Sequence, residues 1–328
     1  MAFSLRILLA LLALAPTSAC GAQPVVSDST APLMLERTIP LNGVRGRIDH
    51  LAIDLQHQRL FVAELGNGSV EAIDLARGVS LGRIGGLKEP QGLAYFPAQD
   101  ELAIASGRDG SVRFYRASDL KPDGAMEVGG DADNMRVDAS GRIVVGYGSG
   151  ALAVIDLVSR KVVAKLDLPA HPEGFRLEGA KVFVNLPDAK QIAVGDLASG
   201  TITANWPAGH LWNFPMALDA GSLNLAIVYR LPARLQLLDA ASGAVKLDQK
   251  TCGDADDVFF DGPRHRAYVT CGAGAVDVID LTHPGQSVLV ATRPGARTGL
   301  FVPELDRLFV AARAGGEDAA VLVYRPQP

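Results

Sequence analysis

Acids, amides and a histidine recur at one position of this chain, each just ahead of a short apolar run. They are Asp49 and His50, Gln91, Asp133 and Asn134, Glu173, Asn213, and Asp256 and Asp257, with Arg297 and Thr298 at the same position in the last copy. Oxygen donors of this kind suit a hard cation such as Ca²⁺, which collects about six to eight carboxylate, amide or carbonyl oxygens. Glu173, Asn134, Asn213 and Asp256 are the set best matched to that task. An imidazole such as His50 titrates near neutral pH and has the chemistry of a general base. His171, His210 and Trp212 fall in the same segments as Glu173 and Asn213. The chain has no HExxH pair, nucleophile elbow or phosphate loop, so no residue is assigned a catalytic role.

The elements that position these residues form a repeat. A strand-like segment returns as RLFVAEL at Arg59, ELAIASG at Glu101, RIVVGYG at Arg142, KVFVNLP at Lys181, NLAIVYR at Asn224, RAYVTCG at Arg266 and RLFVAAR at Arg307, at intervals of 39 to 43 residues. Each copy is preceded by a short apolar run (HLAID, GLAYF, NMRVD, GFRLE, PMALD, DVFFD, TGLFV) and followed by another such as SVEAIDL or AVDVIDL. A fourth run closes most units, as in VSLGRI (79–84) and KVVAKLDL (161–168). Short β-branched and aromatic runs between Gly, Asp, Asn and Ser turns read as strands. Seven units of four strands are the size of β-propeller blades, none of which buries both faces alone. The last unit stops at its third strand, so Leu33–Leu41 is expected to supply the fourth and close the ring. The inner strands line the axis, and their entrances bring the polar residues above to one channel mouth, the default place to look for a binding site.

The chain has 328 residues, 48% of them hydrophobic and 20% charged, with a net charge of −5. That composition excludes disordered, coiled-coil and collagen-like chains. The acidic balance argues against sequence-independent nucleic-acid binding, which depends on Lys and Arg at phosphates. Residues 1–22 read as a signal peptide: Arg6, then the apolar run Ile7–Ala15, then small residues. Ala19-Cys20 matches a lipoprotein site, with Cys20 as the lipidated residue; cleavage after Ala19 or Ala22 is the alternative. Residues 23–32 would then be a tether and 33–328 the propeller. Cys252 and Cys271 remain as a pair in an oxidising compartment. Cys252 precedes an inner strand and Cys271 ends the strand running back, which places both at one end of blade 6; a disulfide is expected.

The sequence resembles the YVTN-repeat, YncE-like seven-bladed propellers of bacteria. Tyr268-Val269-Thr270 stands as YVT, and RLFVA, a Gly or Asn turn and VxVID recur over residues 33–328. The resemblance implies an exported, periplasmic propeller. At the level of fold it extends to the quinoprotein amine dehydrogenase β-chain and to lactonase propellers. DNA binding has been associated with the family, but the acidic chain argues against it here. Readings of the mouth therefore stay open: a solvated polar rim, a site for a small ligand or protein partner without catalysis, a divalent-metal site serving a hydrolase of the lactonase kind, or quinone redox chemistry, for which no motif is present. The binding reading is taken forward, with a monomer expected and the metal-dependent hydrolase as alternative.

Overall fold

The computed structural model describes residues 31–219 and 221–328. The segment 1–22 expected to be a signal peptide, with Cys20, and most of the expected tether 23–32 lie outside the described residues. The remainder is all β apart from two single-turn 3₁₀ segments, Leu65–Asn67 and Pro303–Leu305. No helix among the described residues is long and apolar enough to cross a membrane.

Seven four-stranded antiparallel sheets make the blades. Their inner strands, blades 1 to 7, are Leu51–Asp54, Pro90–Phe96, Met135–Val137, Phe175–Glu178, Leu211–Asp219, Ala255–Asp261 and Thr298–Val302. Six blades are continuous in sequence. Blade 7 takes its outer strand from the start of the chain: Leu33–Pro40 runs antiparallel to Ala320–Pro326, with Leu33 opposite Pro326 and Pro40 opposite Ala320. The expected closure is thus present.

The alternation of side chains along the second strands explains their unbroken apolar character. Successive residues of a strand point to opposite faces, and here each face meets a different blade. In blade 1, Leu60 and Val62 pack with Ile39, Phe309 and Val321 of blade 7. Phe61 and Ala63 pack with Leu93, Leu102 and Ile104 of blade 2. The same logic gives seven buried clusters, one at each blade-to-blade interface. On the face opposite the mouth, arginines link neighbouring blades. Arg59 reaches Asp54 at 2.7 Å and Asp100 of the next blade at 2.6 Å, and Arg264 reaches Asp306 at 2.8 Å.

Cys252 and Cys271 are joined, with Cα atoms 5.9 Å apart and a sequence separation of 19. The bond ties the approach to the blade 6 inner strand to the end of Arg266–Cys271, as the up-and-down topology requires. Closing a loop of that length stabilises by about 3 kcal/mol in the chain-entropy description. Reduction, or Cys252→Ser with Cys271→Ser, is expected to cost about that much in urea unfolding, and the unreduced protein should contain no titratable thiol from this pair. Two free thiols would remove the assignment.

Candidate functional site

The mouth of the channel holds a small cavity of ≈ 50 Å³. That is room for an ion with a few waters or for one ligand head group, since a single water needs about 10–15 Å³ by this measure. Asp49, His50, Gln91, Asp133, Asn134, Glu173, Asp256 and Asp257 all line it, drawn from blades 1, 2, 3, 4 and 6. The repeat register therefore places eight of the ten expected residues together. Each comes from the entrance of an inner strand, either the approach to it or its first three residues, and the ring geometry brings those entrances to the axis.

Two expected residues do not reach the cavity wall. Asn213 is wholly buried and faces blade 4 instead of the axis: its amide nitrogen donates to Asn185 Oδ1 and to the Gln191 carbonyl, each at 3.1 Å. The cause is a register shift between Asn213 and Met216, which leaves Phe214, Pro215 and Met216 on the cavity. Arg297 lies one layer out, with its guanidinium on Asp254 at 3.0 Å and Asp256 at 3.2 Å. Asp256 is thereby clamped, because Arg230 also donates to it while resting 4.0 Å over the Phe214 ring. Of the oxygen set Glu173, Asn134, Asn213 and Asp256, all but Asn213 line the cavity, and Asp256 does so with its carboxylate already held by two arginines.

Three other side chains form a tighter group. His50 Nε2 lies 3.7 Å from Asp49 Oδ1 and 3.9 Å from Asp133 Oδ1. These ligand atoms fall within 4.8 Å of one another. Both separations exceed a hydrogen bond. They leave a gap that one cation about 2.0–2.2 Å from each donor would span. Asp49 also accepts from Arg47 at 3.1 Å.

The electrostatics follow from burial and crowding. Desolvation raises Asp49 despite Arg47, and it raises Asp133 well above the usual carboxylate range with help from Asp49 and Glu173. Glu173 is pushed up to about 7, mainly by burial, and Asp257 to about 8 by burial and the adjacent Asp256. Burial and the Arg136 guanidinium hold His50 down to about 3, so it is neutral at pH 7 with a lone pair on the ring. Among the described residues, neither Asp133 nor Glu173 has a Lys or Arg nitrogen within 4.0 Å.

The other residues of this face have local partners. His171 Nδ1 is 2.7 Å from the Gly148 carbonyl, and His210 Nε2 is 2.8 Å from Asp248 with its ring edge-on to Tyr229. Trp206 packs against Phe183, as an outer-strand aromatic should. Trp212 is not packed: it is 51% exposed, beside Leu211 and Leu231, which are also exposed. Sequence reasoning missed Arg136 and Arg176, which line the same cavity. Both occupy the third position of the inner-strand run, where the other blades have Ala52, Ala94, Ala217, Phe259 and Leu300. Comparing the seven copies column by column would have exposed them.

Comparison with known proteins finds no matching family model and no matching curated protein. Among solved structures, a chain in the crystal structure of the mitotic checkpoint complex is similar with a TM-score of 0.77 at 14% identity, covering 98% of this chain and 100% of that one. Hydrazine synthase of Kuenenia stuttgartiensis is similar with a TM-score of 0.73 at 15% identity, covering 86% of this chain and 98% of that one. At such identity the likeness establishes the seven-bladed fold and nothing about chemistry.

Proposed function

We propose that this chain is an exported binding propeller of the YncE-like kind, a monomer that uses its channel mouth to hold the cationic group of a small ligand or protein partner without catalysis. Export would proceed through residues 1–22, with processing at Cys20 as a lipoprotein or after Ala22, and the protein would work in the periplasm. The observation that carries the binding reading is the pair Asp133 and Glu173. Both line a cavity in the rigid inner ring, and neither has a cation in contact among the described residues. Buried carboxylates are ordinarily paired, so a ligand ammonium or guanidinium is the natural complement. The exposed Leu211, Trp212 and Leu231 beside the mouth add apolar area of the sort that anchors a partner.

The test is a titration of the purified protein with a short oligolysine peptide at low salt. Asp133→Asn and Glu173→Gln should each weaken binding at least tenfold, and Trp212→Ala several-fold. Unchanged affinity in both carboxylate variants would end the reading.

The Asp49, His50 and Asp133 group supports one alternative, a metal-dependent hydrolase. There a bound cation would act as Lewis acid, with neutral His50 and the two carboxylates holding it. Elemental analysis of the protein as purified separates the two. A stoichiometric divalent ion that is lost in Asp133→Asn and in His50→Gln would favour the hydrolase.

A further inference from the structure

Below the mouth the channel widens into a second cavity of ≈ 370 Å³. His50, Arg136, Arg176 and Asp257 line both spaces and so form the partition between them. The lower walls are apolar, with Leu51, Ile53, Leu93, Tyr95, Phe259 and Leu300 around the axis. Val137, on the same wall, is 42% exposed, so this space opens to solvent.

The two arginines at its inner end differ from those that join neighbouring blades. Arg59, Arg230 and Arg264, all largely buried, each meet carboxylates. Arg136 instead donates to the carbonyl of its neighbour Met135 at 2.6 Å and only distantly, at 3.4 Å, to Asn134 Oδ1. Arg176 donates to the Phe175 carbonyl at 2.8 Å. A guanidinium has five N–H donors, so most of these are unused. Among the described residues no carboxylate oxygen lies within 4.0 Å of either group. Burial lowers the pKa of both, and for Arg176 the like charge of Arg136 adds to it. Side by side on adjacent blades, they are two cationic forks facing one space with no carboxylate in contact; Asp257 acts on both, and Asp133 on Arg136, only from beyond 4.0 Å.

We propose that this lower cavity binds a small organic carboxylate with an apolar body. The head group would sit on Arg136 and Arg176, and the body would lie along Leu51, Ile53, Leu93 and Leu300 toward the face opposite the mouth. Guanidinium forks match a carboxylate through paired, charge-assisted hydrogen bonds. The volume lies within the range of small-molecule sites, about 300–1,000 Å³. The apolar walls reward a hydrocarbon body that a bare inorganic anion lacks. This site goes beyond the binding role of the mouth, since it uses neither Asp133 nor Glu173.

Calorimetric titration of the purified protein with octanoate, with 1-octanol and with sulfate tests it. Octanoate is expected to bind at least tenfold more tightly than either of the others. Arg136→Met and Arg176→Met should each weaken octanoate at least tenfold while melting no lower than the parent, because the charge removed had no carboxylate in contact to offset its burial. Ala94→Leu, which fills the wall and leaves both arginines in place, should weaken octanoate and spare any sulfate binding. The proposal is overturned if octanoate binds no better than 1-octanol or sulfate, or if its affinity is unchanged in the arginine variants. Should those variants fail to fold, unchanged octanoate affinity in Ala94→Leu overturns it as well.

Discussion

Deleting the segment up to Pro40 abolishes the cooperative unfolding transition of the propeller. The strand Leu33–Pro40 is the outer strand of blade 7, and it pairs along its length with Ala320–Pro326. Its inward residues Leu33 and Ile39, with Leu41 just beyond, are 1–2% exposed. Each fully buried residue of this kind contributes about 1.5–3 kcal/mol, so together they approach the 5–15 kcal/mol or so by which whole domains are stable. The deletion also leaves Ala320–Pro326 as a bare sheet edge, open to pairing with other chains. It further exposes the blade 7 to blade 1 cluster containing Leu60, Val62 and Phe309. Circular dichroism and urea titration of the truncated chain should show a shallow, non-cooperative profile and aggregation. The point variants grade the effect. Ile39→Ala should cost about 2–5 kcal/mol, whereas Met34→Ala and Leu35→Ala, on the exposed side at 45% and 50%, should cost little. A truncated chain that unfolds as sharply as the full one would mean that the other blades close the ring without it.

The fold was legible because a repeat gives the same message seven times. The outer strand expected at 79–84 is Val79–Ile84, and that expected at 161–168 is Lys161–Asp167. The closing strand expected at Leu33–Leu41 ends one residue sooner. The disulfide followed from the same topology. The site was legible only in register. Repeat spacing says which residues stand at the entrance of an inner strand, and those did converge. It does not say which way each side chain turns there, because irregularities at the entrances of blades 2, 5 and 6 change the phase. Asn213 was lost to the blade interface by one of them. Nor does spacing reveal pairing across blades: Asp256 is occupied by Arg230, from the neighbouring blade 5, and by Arg297, from blade 7. Arg136 and Arg176 carry a different lesson. Each looks ordinary within its own strand, and only the ring of small and apolar residues at the same position in other blades marks them.

Stability is expected to fall as pH rises from 5 to 8, against the habit of proteins held by ionised carboxylates. The cause is the number of acids that folding pushes up. Burial raises Glu64 and Glu173 to about 7 from a reference of 4.5, and raises Asp257 to about 8 from 3.8. Asp49, Asp133 and Asp256 are raised as well, burial leading in each case. Between the unfolded and folded values the native state binds more protons than the unfolded chain. Linkage then makes the unfolding free energy decrease with pH across that window, from about 4.5 to about 7 for Glu173. A single group shifted this far costs up to about 3 kcal/mol once the window is crossed. Acids of the opposite kind bound the profile below. Asp54, where hydrogen bonds from Arg59 and His57 outweigh burial, and Asp239, held at about 2 by Lys246 and Ser242, lose their contribution only as pH falls through their lowered values. His50 works against the trend: lowered to about 3 from 6.5, it makes stability rise with pH up to about 6.5. The raised acids outnumber it, so the maximum is expected near pH 5. Thermal melts from pH 4 to 9 check this, and Glu173→Gln should flatten the slope between 5 and 7, since the amide has no charge to bury. The same linkage gives the mouth ligand a signature. A cation held by Asp133 and Glu173 binds their ionised forms, so oligolysine should raise the melting temperature more at pH 8 than at pH 5. A melting temperature that climbs from pH 5 to 8 without ligand would mean that these carboxylates ionise at ordinary values, as in a solvated rim, and that no buried negative charge awaits a partner at the mouth.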